Sequence, residues 1–144
     1  MYSPPVDLDI IRRVKEAVSI PVLGNGDISY AEDAVRMMDE TSCDGIMVGR
    51  GCLGDPFLFQ RIKAAIDGLP VPDEPTLKEK MSVLMRQARS SVEEKGEHIA
   101  MHEMRKQAVY YFKGVNGAAT LRADCVRLET LEDLESLCNR ALNT

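Results

Sequence analysis

The 144-residue chain has no apolar run approaching the roughly 20 residues needed to span a bilayer, so no transmembrane segment is expected. Tyr2–Asp9 is neither basic nor apolar enough for a secretory leader. Its four cysteines, Cys43, Cys52, Cys125 and Cys138, show no CxxC spacing. No pair has the spacing of zinc ligands, so reduced thiols and a cytoplasmic location are expected. An excess of basic charge is also missing. The net charge of −5 argues against a wholesale nucleic-acid coat and leaves room only for a local basic face. No repeat or low-complexity segment interrupts the chain. What remains is 44% hydrophobic and 28% charged, a globular composition with enough residues for one ordinary domain or two small ones.

Two short apolar runs organise the sequence. Ile20-Pro21-Val22-Leu23 leads into Gly24-Asn25-Gly26-Asp27-Ile28, and Gly45-Ile46-Met47-Val48 leads into Gly49-Arg50-Gly51-Cys52-Leu53-Gly54. Continuous hydrophobic runs ending in glycine, each followed by a helical pattern, read as buried parallel strands. Glycines there let backbone N–H groups approach a ligand, and a helix start beyond adds a positive dipole end. Two such loops in succession suggest an anion site, with Arg50 supplying a charged fork. In a (β/α)8 barrel, phosphate sits after strands seven and eight.

In chain order, Ser3-Pro4-Pro5 reads as a loop, and Asp7 caps a helix whose apolar face is Leu8, Ile11, Val14 and Val18. Ser19–Leu23 reads as the first strand. Ser29, with Glu32 three residues on, has capping-box spacing for a helix over 31–40, with Ala34, Val35 and Met38 on its apolar side. Gly45–Val48 is the second strand. Asp55 caps the next helix, with Pro56 at its first position and Phe57, Leu58, Ile62 and Ile66 inward. Three prolines fall within 70–75, which no helix interior tolerates, so a linker is expected there. Beyond it the spacing predicts four helices: Thr76 to about Lys95, Glu97 to Lys113, Ala118 to Arg127, and Leu131 to Leu142 capped by Thr130. Strands alternating with helices, then helices alone, predict an α/β fold class. It consists of the carboxy-terminal part of a (β/α)8 barrel over 1–69, a linker at 70–75 and an all-α bundle over 76–144. Two strands cannot close a sheet, so the chain reads as the tail of a larger barrel.

The glycine motifs, together with Cys43-Asp44 and Asp55-Pro56-Phe57-Leu58-Phe59, resemble the flavin-dependent tRNA-dihydrouridine synthases, particularly the bacterial B-type branch. Met104-Arg105-Lys106-Gln107 and Tyr110-Tyr111-Phe112-Lys113-Gly114 extend the resemblance over nearly the whole chain. It implies an FMN-holding barrel and a helical domain that grips tRNA. Asn25, Gly26 and Asp27 would lie beside the FMN phosphate and ribityl chain, and Gly49 and Arg50 would clamp the phosphate. In the family a uridine C5–C6 double bond is reduced, NADPH reloads the flavin, and a cysteine on an earlier strand-loop gives the proton. None of the four cysteines here lies in that motif. Cys52, in the phosphate loop, stands where the family usually has a small residue and would sit at the wrong end of the flavin. The resemblance therefore implies no catalytic residue in this chain and no synthase activity from this chain alone.

From Met101 to Arg127 five bases face two acids, a net of +3, interleaved with Tyr110, Tyr111 and Phe112. Charge alone favours a solvated helix face with the aromatics packed inside. The resemblance favours RNA contacts, with Arg105, Lys106, Lys113 and Arg122 as the candidates. Gln107 stands where relatives often carry histidine. His98 and His102 are four apart, but Ile99 occupies the place of the glutamate a metalloprotease helix needs, so capping or packing imidazoles are expected rather than a metal site. Two other readings stay open: a different FMN-barrel oxidoreductase acting on a small molecule, and a non-catalytic RNA-binding helical module.

Overall fold

A computed structural model describes residues 5–143. The predicted loop at Ser3-Pro4 lies outside these residues. The fold is α/β and mostly helical, with seven α-helices and one two-stranded sheet among the described residues. Two compact units divide it. One runs through Cys52 and resumes over Pro56–Glu74; the other joins Leu53–Asp55 to the chain from Pro75 onward.

The first unit contains α1 (Leu8–Ala17), β1 (Leu23–Asn25), α2 (Ala31–Thr41), β2 (Gly45–Met47) and α3 (Leu58–Ile66). Asp7 caps α1 by accepting from the Asp9 and Ile10 amides. β1 and β2 pair in parallel, with Leu23 opposite Gly45 and Asn25 opposite Met47. The first strand is thus three residues long and begins where the predicted Ser19–Leu23 strand ends. Pro21 has no amide to give, whereas Gly24 can enter the ladder because its missing side chain leaves room for Met37 and Cys43. Gly24 and Asn25, read as loop, belong to the strand.

The helix after β1 also departs from the expected cap. Asp33, not Glu32, reaches back, its Oδ2 accepting from the amides of Ser29 (3.0 Å) and Tyr30 (2.9 Å). The helix still starts at Ala31, as expected, but Met37 rather than Met38 joins Ala34 on its buried face. Ala31, Ala34, Met37 and Thr41 are buried, while Val35 and Met38 are only half-buried. Thr41 is a buried polar group with both functions satisfied: its hydroxyl donates to the Met37 carbonyl and accepts from the Cys43 amide. Ser42 then takes a left-handed conformation, and its amide closes the helix on Met38. α3 begins at Leu58 rather than Pro56, and buries Leu58, Arg61 and Ile62, while Ile66 is exposed.

Ile28, Ala31, Ala34, Met37, Cys43, Leu58 and Ile62 form the core of this unit. It covers one side of the sheet only. Leu23 (57% exposed) and Met47 (52% exposed) lie on the other, and Val14 and Val18 of α1, expected inward, are exposed. Among the described residues neither outer strand edge is paired.

The second unit is made by α4 (Leu77–Lys95), α5 (Glu97–Tyr111), α6 (Ala118–Cys125) and α7 (Leu131–Leu142). Thr76 and Thr130 cap α4 and α7 with full capping boxes to Glu79 and Asp133. The four helices share one core, in which Leu84, Met101, Phe112, Cys125 and Leu134 are fully enclosed. Cys125 and Cys138 sit in that core, and all four cysteines are free thiols. Burial pushes the Cys125 thiol up to about 11 and the Cys138 thiol up to about 12, so both stay protonated at neutral pH.

One ionic clamp fixes α1 to the start of β2. Lys15 Nζ donates to both Asp44 carboxylate oxygens (2.9 and 2.7 Å), and the Val22 amide donates to Oδ2 at 2.7 Å. The Lys15 hydrogen bond first, then the Val22 amide, hold the Asp44 carboxyl below the usual carboxylate range. A depressed native pKa adds stability that is present above the unfolded value, near 4, and is lost as pH falls through the native one. Asp44→Asn is expected to remove this part of the acid dependence. Urea midpoints from pH 7 down to 3 check it: the wild type should lose more stability across that range than the variant.

Candidate functional site

The two glycine loops meet. β1 and β2 are adjacent, so the segments leaving their carboxyl ends leave side by side. Asn25, at the end of β1, donates from Nδ2 to the Met47 carbonyl at 2.9 Å, tying the end of one strand to the other. Gly26 has φ +132° and Asp27 φ +50°, so the chain turns sharply through two left-handed positions. Asp27 is held in this turn by the Val6 amide, which donates to Oδ2 at 2.8 Å. Its other oxygen faces Arg50 Nη2 at 3.7 Å.

The second loop is a 3-10 turn, Arg50–Cys52. Gly51 presses so closely on the first loop that a Cβ would overlap the Ile28 carbonyl oxygen, a backbone atom that cannot rotate away. Gly49 faces open space, with nothing within 4 Å of a built Cβ. Arg50 is 68% exposed at its side chain and Asp27 46%. Cys52 donates from Sγ to the Gly49 carbonyl at 3.2 Å, within its own turn. Asn25, Gly26, Asp27, Gly49 and Arg50 are thus grouped around one junction. α3 starts at Leu58, two residues after the expected Pro56, because residues 53–54 and 56–57 form turns and not the first helical turn.

The basic candidates lie in the helical unit. Arg105 and Lys106 are on α5, Lys113 is in the turn beyond it, and Arg122 is on α6, which packs against α5. Lys106, Lys113 and Arg122 are exposed. Arg105 is half-buried and donates from Nε to the Leu128 carbonyl at 2.8 Å, so part of its guanidinium serves the fold. Tyr111 and Phe112 are core residues, and the Tyr111 hydroxyl donates to Gln87 Oε1 at 3.0 Å. They are not a stacking surface. Among the described residues no group of three or more His, Cys, Asp or Glu side chains is placed to hold a metal, and no helix is long and apolar enough to cross a membrane.

Comparison with known proteins bears on this arrangement. The family model described as "Dihydrouridine synthase (Dus)" matches residues 1–144. The chain belongs to the dihydrouridine synthase family. It is 42% identical over 140 residues to a "Probable tRNA-dihydrouridine synthase" of Mycobacterium leprae (strain TN), covering 96% of this chain and 36% of that protein. To "tRNA-dihydrouridine synthase B" of Pasteurella multocida (strain Pm70) it is 36% identical over 115 residues, 80% of this chain and 35% of the relative. A "Probable tRNA-dihydrouridine synthase" of Aquifex aeolicus (strain VF5) is 33% identical over 124 residues, 86% of this chain and 38% of the relative. The chain therefore spans little more than a third of the length of these relatives.

Within this dihydrouridine synthase segment the donor set fits a flavin mononucleotide tail. Arg50 would offer a fork for phosphate, Gly49 leaves open space beside the second loop, and Asp27 would offer a carboxylate oxygen to hydroxyl groups. Sequence reading missed the Asn25–Met47 and Val6–Asp27 bonds, since each joins residues about 21 apart. No local pattern signals them.

The two glycines of the second loop separate by what surrounds them. Gly51→Ala is expected to destabilise the protein by about 1–3 kcal/mol, the cost of forcing a group into occupied space, while Gly49→Ala stays within about 1 kcal/mol of the parent. Denaturant unfolding of both variants provides the check.

Proposed function

We propose that this chain supplies the cofactor-phosphate corner and the helical RNA-gripping part of a tRNA-dihydrouridine synthase. The complete enzyme reduces a uridine C5–C6 bond in tRNA with FMN, reloaded by NADPH. The observation that carries this reading is the apposition of the two glycine loops, with Gly51 against Ile28 and Arg50 beside Asp27. In the same reading β1 and β2 are strands seven and eight of a (β/α)8 barrel. Residues 1–69 belong to that barrel, 70–75 form the linker and 76–144 the tRNA-contacting domain. The exposed Leu23 and Met47 support it, since a sheet face with large apolar side chains in water is stable only when further structure covers it.

The residues of the chain then divide the work. Arg50 neutralises and orients the phosphate, and the amides around Gly49–Gly51 add donors. Asp27, positioned by the Val6 amide, accepts hydrogen bonds from the ribityl hydroxyls and balances Arg50. Asn25 holds the strand ends at fixed spacing through Met47. The flavin, when bound, supplies the hydride; the protein contributes position. No residue of this chain is assigned as proton donor. Cys43, Cys125 and Cys138 are buried, and Cys52 is turned onto the Gly49 carbonyl. Lys106, Lys113, Arg122 and the outer edge of Arg105 contribute positive charge for the tRNA backbone.

In the complete synthase, Arg50→Ala is expected to weaken FMN retention about tenfold or more, read from bound flavin absorbance after dialysis. Flavin content equal to the parent would sink the phosphate assignment. Replacing Arg105 and Lys106 by alanine should weaken tRNA binding and make log K against log salt less steep by about 0.9 per lost phosphate contact. Titrations at several salt concentrations would show this, and an unchanged slope would refute the RNA assignment. The 144-residue chain by itself should form no dihydrouridine in tRNA, and detectable product would overturn that assignment.

A further inference from the structure

α4 and α5 form an antiparallel hairpin joined through Gly96, and a recess of about 520 Å³ opens between them. Its walls follow from helical spacing. Gln87, Ser91 and Lys95 recur every four residues along α4, and so stand in one row. On α5, His102 and Lys106, and Glu103 and Gln107, are each four apart and face the same opening. Each end is closed by a bond between the helices: Lys95 Nζ to Glu103 Oε2 at 2.7 Å near the turn, and the Tyr111 hydroxyl to Gln87 Oε1 at 3.0 Å at the far end.

Between these ends the chemistry is open. Ser91, His102, Lys106 and Gln107 make no side-chain hydrogen bond or ion pair among the described residues. The Glu103 carboxylate is the one acid lining the recess, and Lys95 neutralises it, which leaves Lys106 as net positive charge. Gln87 uses its carbonyl oxygen on Tyr111 and keeps both amide hydrogens. Gln107 offers both donor and acceptor, and His102 presents a flat ring. A cation, a planar ring and amide groups of mixed sense are what an unstacked nucleotide needs: phosphate on the cation, base face on the ring, base edge on the amides. In a paired helix the pairing edges are taken by the partner strand, and the major groove is too deep and narrow for side chains.

We propose that this recess holds one splayed-out nucleotide of an RNA loop, so that the helical unit recognises an unpaired position and not only backbone charge. The proposal rests on the reading of tRNA as substrate and specifies which part of it this face reads. Lys106 contacts the phosphate, and Ser91 and Gln107 line the base.

The test is fluorescence anisotropy of the 144-residue chain with three labelled RNAs: a tRNA transcript, a hairpin with an unpaired loop, and a fully paired duplex of the same length. The hairpin is expected to bind about tenfold more tightly than the duplex. Ser91→Phe, which fills the recess and leaves every charge in place, should bring hairpin affinity down to that of the duplex. Gln107→Glu, similar in shape, should do the same, so a folding defect in one variant leaves the other as the test. Native helical circular dichroism qualifies each. Equal affinity for hairpin and duplex, or hairpin binding unchanged in a folded variant, would overturn the recess while tRNA binding by the parent kept the substrate reading standing. Failure of the parent chain to bind tRNA at all would remove both.

Discussion

The contact between Gly51 and the Ile28 carbonyl is the constraint on which the candidate cofactor corner depends. Two loops leaving adjacent parallel strands come nearly into touch here, with no room between Gly51 and Ile28 for even one methyl group. Everything else at the junction follows from that proximity. Arg50 is carried to Asp27, Asp27 is turned by the Val6 amide, and the strand ends are kept in step by Asn25 on Met47. Behind the sheet lies the small core, where Met37 and Cys43 occupy the space that a side chain on Gly24 would need.

The helical unit is built on a different balance. Its core is larger and fully enclosed, and it takes up groups that sequence alone leaves ambiguous. Tyr111 and Phe112 go inward, and the Tyr111 hydroxyl stays satisfied by reaching Gln87. The two core thiols are held protonated by burial, so they behave as packing groups. With Tyr111 and Phe112 withdrawn, charged and amide side chains are left outside, and the α4–α5 recess gathers several of them.

Much of the helical unit was legible before any coordinates. Thr76 and Thr130 mark starts that the backbone adopts, and the helix expected from Thr76 to about Lys95 runs over Leu77–Lys95. These signals are local: a cap and a helical face are complete within a turn or two of chain. The α/β portion was less legible. Asp33 instead of Glu32 caps α2, α3 starts two residues late, and β1 lies almost entirely beyond its predicted span. Strand position is decided by a partner 22 residues away, and no window on the chain contains that information.

By itself the sequence determined the order of elements, the caps of α1, α4 and α7, the pair of glycine motifs and the family to which they belong, because each is written in residues close together along the chain. Only the tertiary structure decided that the two motifs touch, that Gly51 is closely confined while Gly49 is free, that Arg105 is partly spent on Leu128, and that two separate helices share one polar recess. These are distances between residues far apart in sequence. They are set by how a core closes around its side chains, which no residue specifies alone.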